Sequence, residues 1–330
     1  MKAVTKTIRK KATAGRRAAA TWKSVRAKGV QTLQAAPLAR AGWLLHGFST
    51  RLGGESKLDG ARVLSLGYTE WDTHGAVNAN RKRLLAALGA EGMALVTLRQ
   101  IHSDIIHEVR DAPAQSPRDL SRSGHGPLRG DALITRAPGL LLAVQTADCI
   151  PILLADPRHR VVAAVHAGWR GTLKRIVAKT LGRMRMLHGT KPADVLAALG
   201  PGIGACCYEV GPEVVQAFAS QFAEAREWFA GEAIDPTGHT LHFDDLAGGE
   251  DRNPFKWLWM TAPGHDPPPP RLHLDLIAAN RWQLLDAGVK PRNIAASELC
   301  TACRTDLLFS HRREQGRAGR LMGVIGIQFK

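Results

Sequence analysis

From Gly42 onward the chain alternates short apolar runs with glycines, and this texture continues to Leu199. Within it, Asn78 to Leu88 (NANRKRLLAAL) gathers Leu84, Leu85 and Leu88 on one face with charges opposite, which predicts an amphipathic helix. Two apolar stretches, Leu140 to Thr146 (LLLAVQT) and Ile150 to Ala155 (IPILLA), predict buried strands separated by Ala147-Asp148-Cys149. A third, Val161 to Val165 (VVAAV), ends at His166, and a helix is expected from about Thr172 to Leu187. Cys149 and His166 thus fall at strand edges, where a rigid scaffold holds a side chain open to a cleft. The stretch Asp235 to Arg271 breaks the pattern with His239, His242, Asp244-Asp245, Trp257, Trp259 and Pro267 to Pro270. Four prolines continue neither a helix nor a central strand, so it reads as a surface insertion. Leu274 to Ala287 (LDLIAANRWQLLDA) then regains helical periodicity and ends at Gly288, a suitable C-terminal cap.

Composition adds bounds. At 330 residues and 45% hydrophobic the chain can bury a sizeable core, in one large domain or two ordinary ones. The texture places one domain at 41–330 with the insertion at about 235–271. No apolar run reaches the roughly 18 residues of a membrane span, and the first residues lack the apolar stretch of a secretion signal. A soluble, cytoplasmic protein without a membrane partner is expected. Five cysteines, two of them adjacent, make a poor disulfide framework, so reduced thiols are expected.

The net charge of +16 changes the picture less than its size suggests, because +11 of it lies in residues 1–40, which carry no acidic residue. That segment reads as a disordered basic extension, with a transit peptide or an arm for anionic polymers as alternatives. Nucleic acid is expected as a partner only through this tail.

Candidate chemistry begins with His102, Cys149 and His166. Two imidazoles and one thiolate suit a borderline-soft ion such as zinc, and three protein ligands leave a fourth tetrahedral position open, the catalytic pattern. Spacing alone does not single them out, since thirteen histidines offer many triples. The ordered blocks HGFSTRLGGES (His46–Ser56), QIHS (Gln100–Ser103), GDALIT (Gly130–Thr135), TADCIP (Thr146–Pro151), HAGWRG (His166–Gly171), LGPGIGACCYEV (Leu199–Val210), CT at Cys300 and FSHRR at Phe309 go further. Together they resemble the laccase-domain family, also called polyphenol oxidase, multifunctional purine nucleoside phosphorylase or peptidoglycan editing factor. The resemblance spans roughly Gly42 to Ile327 apart from the insertion.

The resemblance implies an α+β fold, a single layered domain of mixed β-sheets packed against helices, with Zn2+ held by His102, Cys149 and His166. It also implies phosphorolysis of adenosine, inosine, guanosine and methylthioadenosine, and deamination of adenosine. Purine nucleosides and phosphate are then the expected partners. Arg51 in the STRLGG loop and Arg170 beside His166 are the candidates for anion contacts, assisted by the backbone amides of Gly53 and Gly54. Asp131 and Asp148 are candidates to orient a histidine ligand or act as general base. Gln100 and Ser103, flanking His102, are candidates to meet substrate. Two positions depart from the family pattern: Ser65 stands where Asn is usual, and His311 where Tyr is usual.

Rival readings follow from the same residues. Cys149 and His166 suffice for a cysteine hydrolase, and the family is linked to editing of peptidoglycan precursors. A copper oxidase would need paired histidine clusters, and HxH pairs are absent; Cu2+ is expected only as an adventitious occupant of the zinc site. Cys300-Thr-Ala-Cys303 has the CxxC spacing of redox motifs and half zinc sites, but no second CxxC accompanies it. Cys303 therefore reads as incidental, and Cys206-Cys207 as packing.

Overall fold

The computed structural model describes residues 21–110, 128–231, 233, 234, 240, 241, 243–247 and 272–329. Two six-stranded sheets form its centre. The first runs, in spatial order, Trp22–Ala27, Val30–Ala35, Leu44–Ser49, Leu321–Ile327, Leu140–Thr146 and Ala94–Val96. The second runs Ile294–Ala296, Leu196–Leu199, Ile150–Asp156, Val161–Ala167, Ala132–Thr135 and Ile106–Glu108. Both are mixed: most pairs are antiparallel, while Ala94–Val96, Ile106–Glu108 and Ile294–Ala296 each join a neighbour in parallel.

Alternation along the apolar strands explains the layering. In Val161–Ala167, Val162 and Ala164 face the other sheet, while Val161, Ala163, Val165 and Ala167 face helices. Leu140, Leu142 and Val144 face the second sheet, and Leu141 and Ala143 pack with Leu84 and Leu85 of a helix. With period 2, a strand covered on both faces must be apolar throughout, which is why these runs read as continuous. The architecture is therefore four layers, helix, sheet, sheet, helices, and the expected mixed sheets packed against helices are present.

The predicted helix at 78–88 is His74–Leu88, capped by Thr73, whose hydroxyl accepts from the amide of Ala76 at 3.1 Å. The predicted helix after His166 is split into Trp169–Leu173 and Ile176–His188, with Arg175 in a left-handed conformation between them. The last predicted helix is Leu276–Asp286, with Asp275 as its N-cap; Leu274, the first residue of the predicted span, instead ends the strand Leu272–Leu274.

The start of the fold departs from the sequence expectation. The sheet begins at Trp22, twenty residues before Gly42, with a hairpin turning through Lys28 and Gly29, both at positive φ. Lys23 and Arg26 on this outermost strand and Lys28 in the turn are exposed, which is why composition disguised it. Trp22 anchors it by donating from Nε1 to the carbonyl of Ala296 at 2.9 Å and packing on Phe48. The basic tail proper, residues 1–20, lies outside the described residues, as do most of 235–271, His239 and His242 among them. Among the described residues no helix is long and apolar enough to cross a membrane.

Candidate active site and metal centre

Cys149 sits where the chain passes from the first sheet to the second, between the strands Leu140–Thr146 and Ile150–Asp156. His166 lies on the neighbouring strand, registered opposite Pro151. His102 comes from the loop between Ala94–Val96 and Ile106–Glu108. Three elements thus converge: the ligand atoms of His102, Cys149 and His166 lie within 4.8 Å of one another, with Sγ of Cys149 3.8 Å from Nε2 of His102. This group could hold a metal ion.

Asp131, fully buried, organises it. Its Oδ1 is 2.8 Å from Nδ1 of His166 and accepts the amide of His102 at 3.0 Å. Its Oδ2 accepts the amide of Ser103 at 2.6 Å, the Ser103 hydroxyl at 2.7 Å and the amide of Ile101 at 3.3 Å. Burial alone would raise this carboxyl; hydrogen bonds from His166 and Ser103 outweigh it and hold the pKa to about 2. An ionised carboxylate at Nδ1 keeps a proton there, so Nε2 is the nitrogen of His166 available to a metal ion. The same bonds offset the left-handed conformation of His102 (φ 57°), which costs a non-glycine residue about 1 kcal/mol.

Burial opposes ionisation of Cys149, yet the adjacent His166 and His102 outweigh it and bring the thiol down to about 6. Against its own burial, His166 is raised to about 9 by Cys149 and Asp131. Without a cation the pair is therefore a thiolate beside an imidazolium, and an ion of zinc's softness would take the place of the second imidazole proton. Gly168 completes the fit, since a Cβ there would stand 2.8 Å from Sγ of Cys149 and 3.0 Å from Cδ2 of His102.

The triad opens into a cleft of about 470 Å³, within the size range of small-molecule sites. Its walls include Gln100, Gln145, Trp169, Tyr208 and His311, and three cationic side chains, Arg170, Arg312 and Arg320. Arg170 stacks on Trp169 at 4.4 Å, and Arg312 lies over Tyr208 at 5.5 Å. Sequence reasoning had assigned no role to Gln145, Trp169, Tyr208, Arg312 or Arg320. All but Gln145 and Arg320 lie inside the quoted blocks HAGWRG, CCYEV and FSHRR.

Several expected site residues have other work. Arg51 does not line the cleft: Nη1 donates to the carbonyl of Thr305 at 2.7 Å and pairs with Oε1 of Glu314 at 3.0 Å, while the guanidinium covers Phe309. It ties the Gly-rich loop to the C-terminal segment. Gly53 and Gly54 are packed against backbone, since added Cβ atoms would meet the carbonyls of Gly29 at 2.1 Å and Val63 at 2.2 Å. Neither lines the cleft. Asp148 (φ 98°) does line the cleft, but its carboxylate accepts the Thr301 hydroxyl at 2.6 Å and the Arg312 amide at 2.7 Å, which binds the C-terminal segment to the Cys149 turn; the histidine ligand is oriented by Asp131 instead. Ser103 is buried on Asp131 and does not line the cleft. Gln100 does line the cleft, but its amide exchanges two bonds of 2.7 Å with the backbone of Gln145. Of the two departures from the family pattern, Ser65 is buried and its hydroxyl accepts the Arg320 amide at 3.3 Å, whereas His311 faces the cleft.

A layered mixed α/β protein with a His/Cys/His group in a cationic cleft is the class these features define. Residues 45–249 and 254–328 match the family described as multi-copper polyphenol oxidoreductase laccase, and the chain belongs to that family. It is 34% identical over 301 residues to a protein of Geobacillus stearothermophilus named purine nucleoside phosphorylase YlmD, covering 91% of this chain and 95% of that one. It is 36% identical over 241 residues to adenosine deaminase RL5 of an unknown prokaryotic organism, covering 73% and 78%. In structure it resembles the hypothetical protein YfiH of Bacillus licheniformis, with a TM-score of 0.72 at 29% identity over 90% of this chain and 96% of that one.

Proposed function

We propose that this chain is a zinc-dependent purine nucleoside phosphorylase that also deaminates adenosine and cleaves methylthioadenosine. The observation that carries this reading is the meeting of His102, Cys149 and His166 with Arg170, Arg312 and Arg320 in one cleft. In phosphorolysis, phosphate attacks C1′ of the ribose as the purine departs, giving the free base and ribose 1-phosphate. The three arginines supply the cationic surface that binds and aims the phosphate. Tyr208 and Gln145 offer an aromatic ring and an amide in the same cleft for the nucleoside. A zinc ion, held by His102, Cys149 and His166, would supply a Lewis-acid centre in the cleft. Asp131 keeps the ligands aligned while the arginines hold the anion, so the reacting groups meet in one geometry.

Incubation of purified protein with adenosine, with and without phosphate, alongside metal analysis, tests this. Adenine with ribose 1-phosphate is expected only when phosphate is present, and inosine in either case, from protein carrying zinc. Formation of neither product overturns the proposal.

A second reading rests on one observation: Cys149, His166 and Asp131 form a thiol, imidazole and carboxylate series, with the thiol acidified and Nδ1 of His166 held by Asp131. A chelator discriminates, since it abolishes metal-dependent turnover and spares a thiol hydrolase.

A further inference from the structure

The CxxC at Cys300 and Cys303 has partners that sequence spacing hid. Cys206 and Cys207 lie opposite it, and the four sulfurs lie within 4.8 Å of one another. Cys303 Sγ is 3.5 Å from that of Cys206 and 3.4 Å from that of Cys207, and all four thiols are free. A tetrahedral zinc ion with Zn–S bonds of about 2.3 Å places its sulfurs about 3.8 Å apart, so the cluster needs only small side-chain adjustment to receive one. The Gly204 amide donates to Sγ of Cys300 at 3.2 Å, a bond that favours the thiolate form of a ligand.

The backbone around the cluster is already built. Gly202 and Cys300 form a parallel bridge, and the Thr301 amide donates to the carbonyl of Gly202 at 2.9 Å. The amides of Cys207 and Tyr208 both turn back to the carbonyl of Gly204 at 3.0 Å. Two loops about a hundred residues apart in sequence are thereby set with two cysteines each facing those of the other. A disulfide would employ two of these sulfurs; the convergence of all four suits a cation.

We propose that Cys206, Cys207, Cys300 and Cys303 form a second, closed zinc site, separate from the His102, Cys149 and His166 centre. Its soft tetrathiolate set selects zinc over magnesium or calcium, and four protein ligands leave no position for substrate, so the ion is structural. Binding exchanges up to four thiol protons, released to solvent, for four Zn–S bonds, and requires no oxidant or reductant. The ion staples the two loops that shape one wall of the cleft: Tyr208 follows Cys207, and Thr301, next to Cys300, holds Asp148 beside Cys149. This inference stands apart from the purine reading.

Metal content per chain tests it, in full-length protein purified with reductant, supplied with zinc and dialysed. The His102→Ala/His166→Ala double variant is expected to keep one zinc per chain, and adding Cys303→Ser to release it. Because the double variant alters the first centre, Cys303→Ser and Cys206→Ser are also made in the unaltered chain, at exposed positions, and each is expected to lower zinc by one ion per chain. Cobalt loading of the double variant should give the intense absorption of a tetrahedral thiolate site, lost with Cys303→Ser. Unchanged zinc content in both single variants overturns the proposal. So does peptide mapping, after thiol trapping at lysis, that finds Cys303 joined to Cys206 or Cys207.

Discussion

Oδ1 of Asp131 lies 2.8 Å from Nδ1 of His166 and receives the backbone amide of His102 at 3.0 Å, so one carboxylate oxygen positions two ligands from different elements. Asp131→Asn keeps the shape but removes the negative charge and places an amide donor among groups that themselves donate. Zinc affinity is expected to fall by about 10- to 100-fold, read by competition with a chromogenic chelator. An affinity equal to that of the unaltered protein would sink this account of Asp131.

Gly168 is tested by addition rather than removal. Its backbone is extended rather than left-handed (φ −79°), so alanine brings no conformational strain, only a methyl group against Cys149 and His102. Gly168→Ala should retain the circular dichroism of the native fold and lose most of its zinc at the His/Cys/His centre. Full metal occupancy with normal turnover would show that the triad has room to spare.

Arg51 and Arg170 should separate cleanly. Breaking the half-buried pair of Arg51 with Glu314 is expected to cost about 3 kcal/mol of stability, measured by urea unfolding of Arg51→Met, with little change in KM for phosphate. Arg170→Met should do the reverse, raising that KM several-fold while moving the unfolding midpoint little. A phosphate defect confined to Arg51→Met would restore the loop to the substrate site.

His46 gives the fold a pH signature remote from the metal centre. Burial lowers it to about 4, and its Nε2 accepts the Ala35 amide at 3.0 Å, so it is neutral in the native state. Below the ordinary value of 6.5 the unfolded chain binds a proton that the folded chain refuses until about pH 4. The contribution is whole above pH 6.5 and is lost progressively down to about pH 4, a span worth about 3 kcal/mol. Unfolding free energies of His46→Gln should be flatter across that window than those of the unaltered protein. Parallel curves would assign the acid sensitivity elsewhere.

What the sequence disclosed follows from which interactions are local. Leu140–Thr146, Ile150–Asp156 and Val161–Ala167 are buried on both faces, and unbroken apolar runs announce that. Trp22–Ala27 is an outermost strand, and its exposed Lys23 and Arg26 resemble a tail. His102, Cys149 and His166 could be named because their blocks carry a family resemblance, whereas composition gave no preference for them. The work of Arg51 and Asp148 depends on Glu314, Thr301 and Arg312, more than 150 residues away, and no local pattern carries such pairings. Cys206 and Cys303 read as packing and as incidental for the same reason: the half site at Cys300 and Cys303 has no second CxxC, and Cys206-Cys207 meets it only when the loops are laid side by side.

The hairpin through Lys28 and Gly29 also determines where the chain can be cut. Trimming at Gly42, where the composition changes, would remove the two outer strands of the first sheet and the Trp22 tether to Ala296. Leu44–Ser49, all six residues buried in the native fold, would become a naked border with unpaired amides and carbonyls. Such a border recruits strands from other molecules. The shortened protein would self-associate with its catalytic residues all still in the chain, and its inactivity would then be misread as evidence about the chemistry.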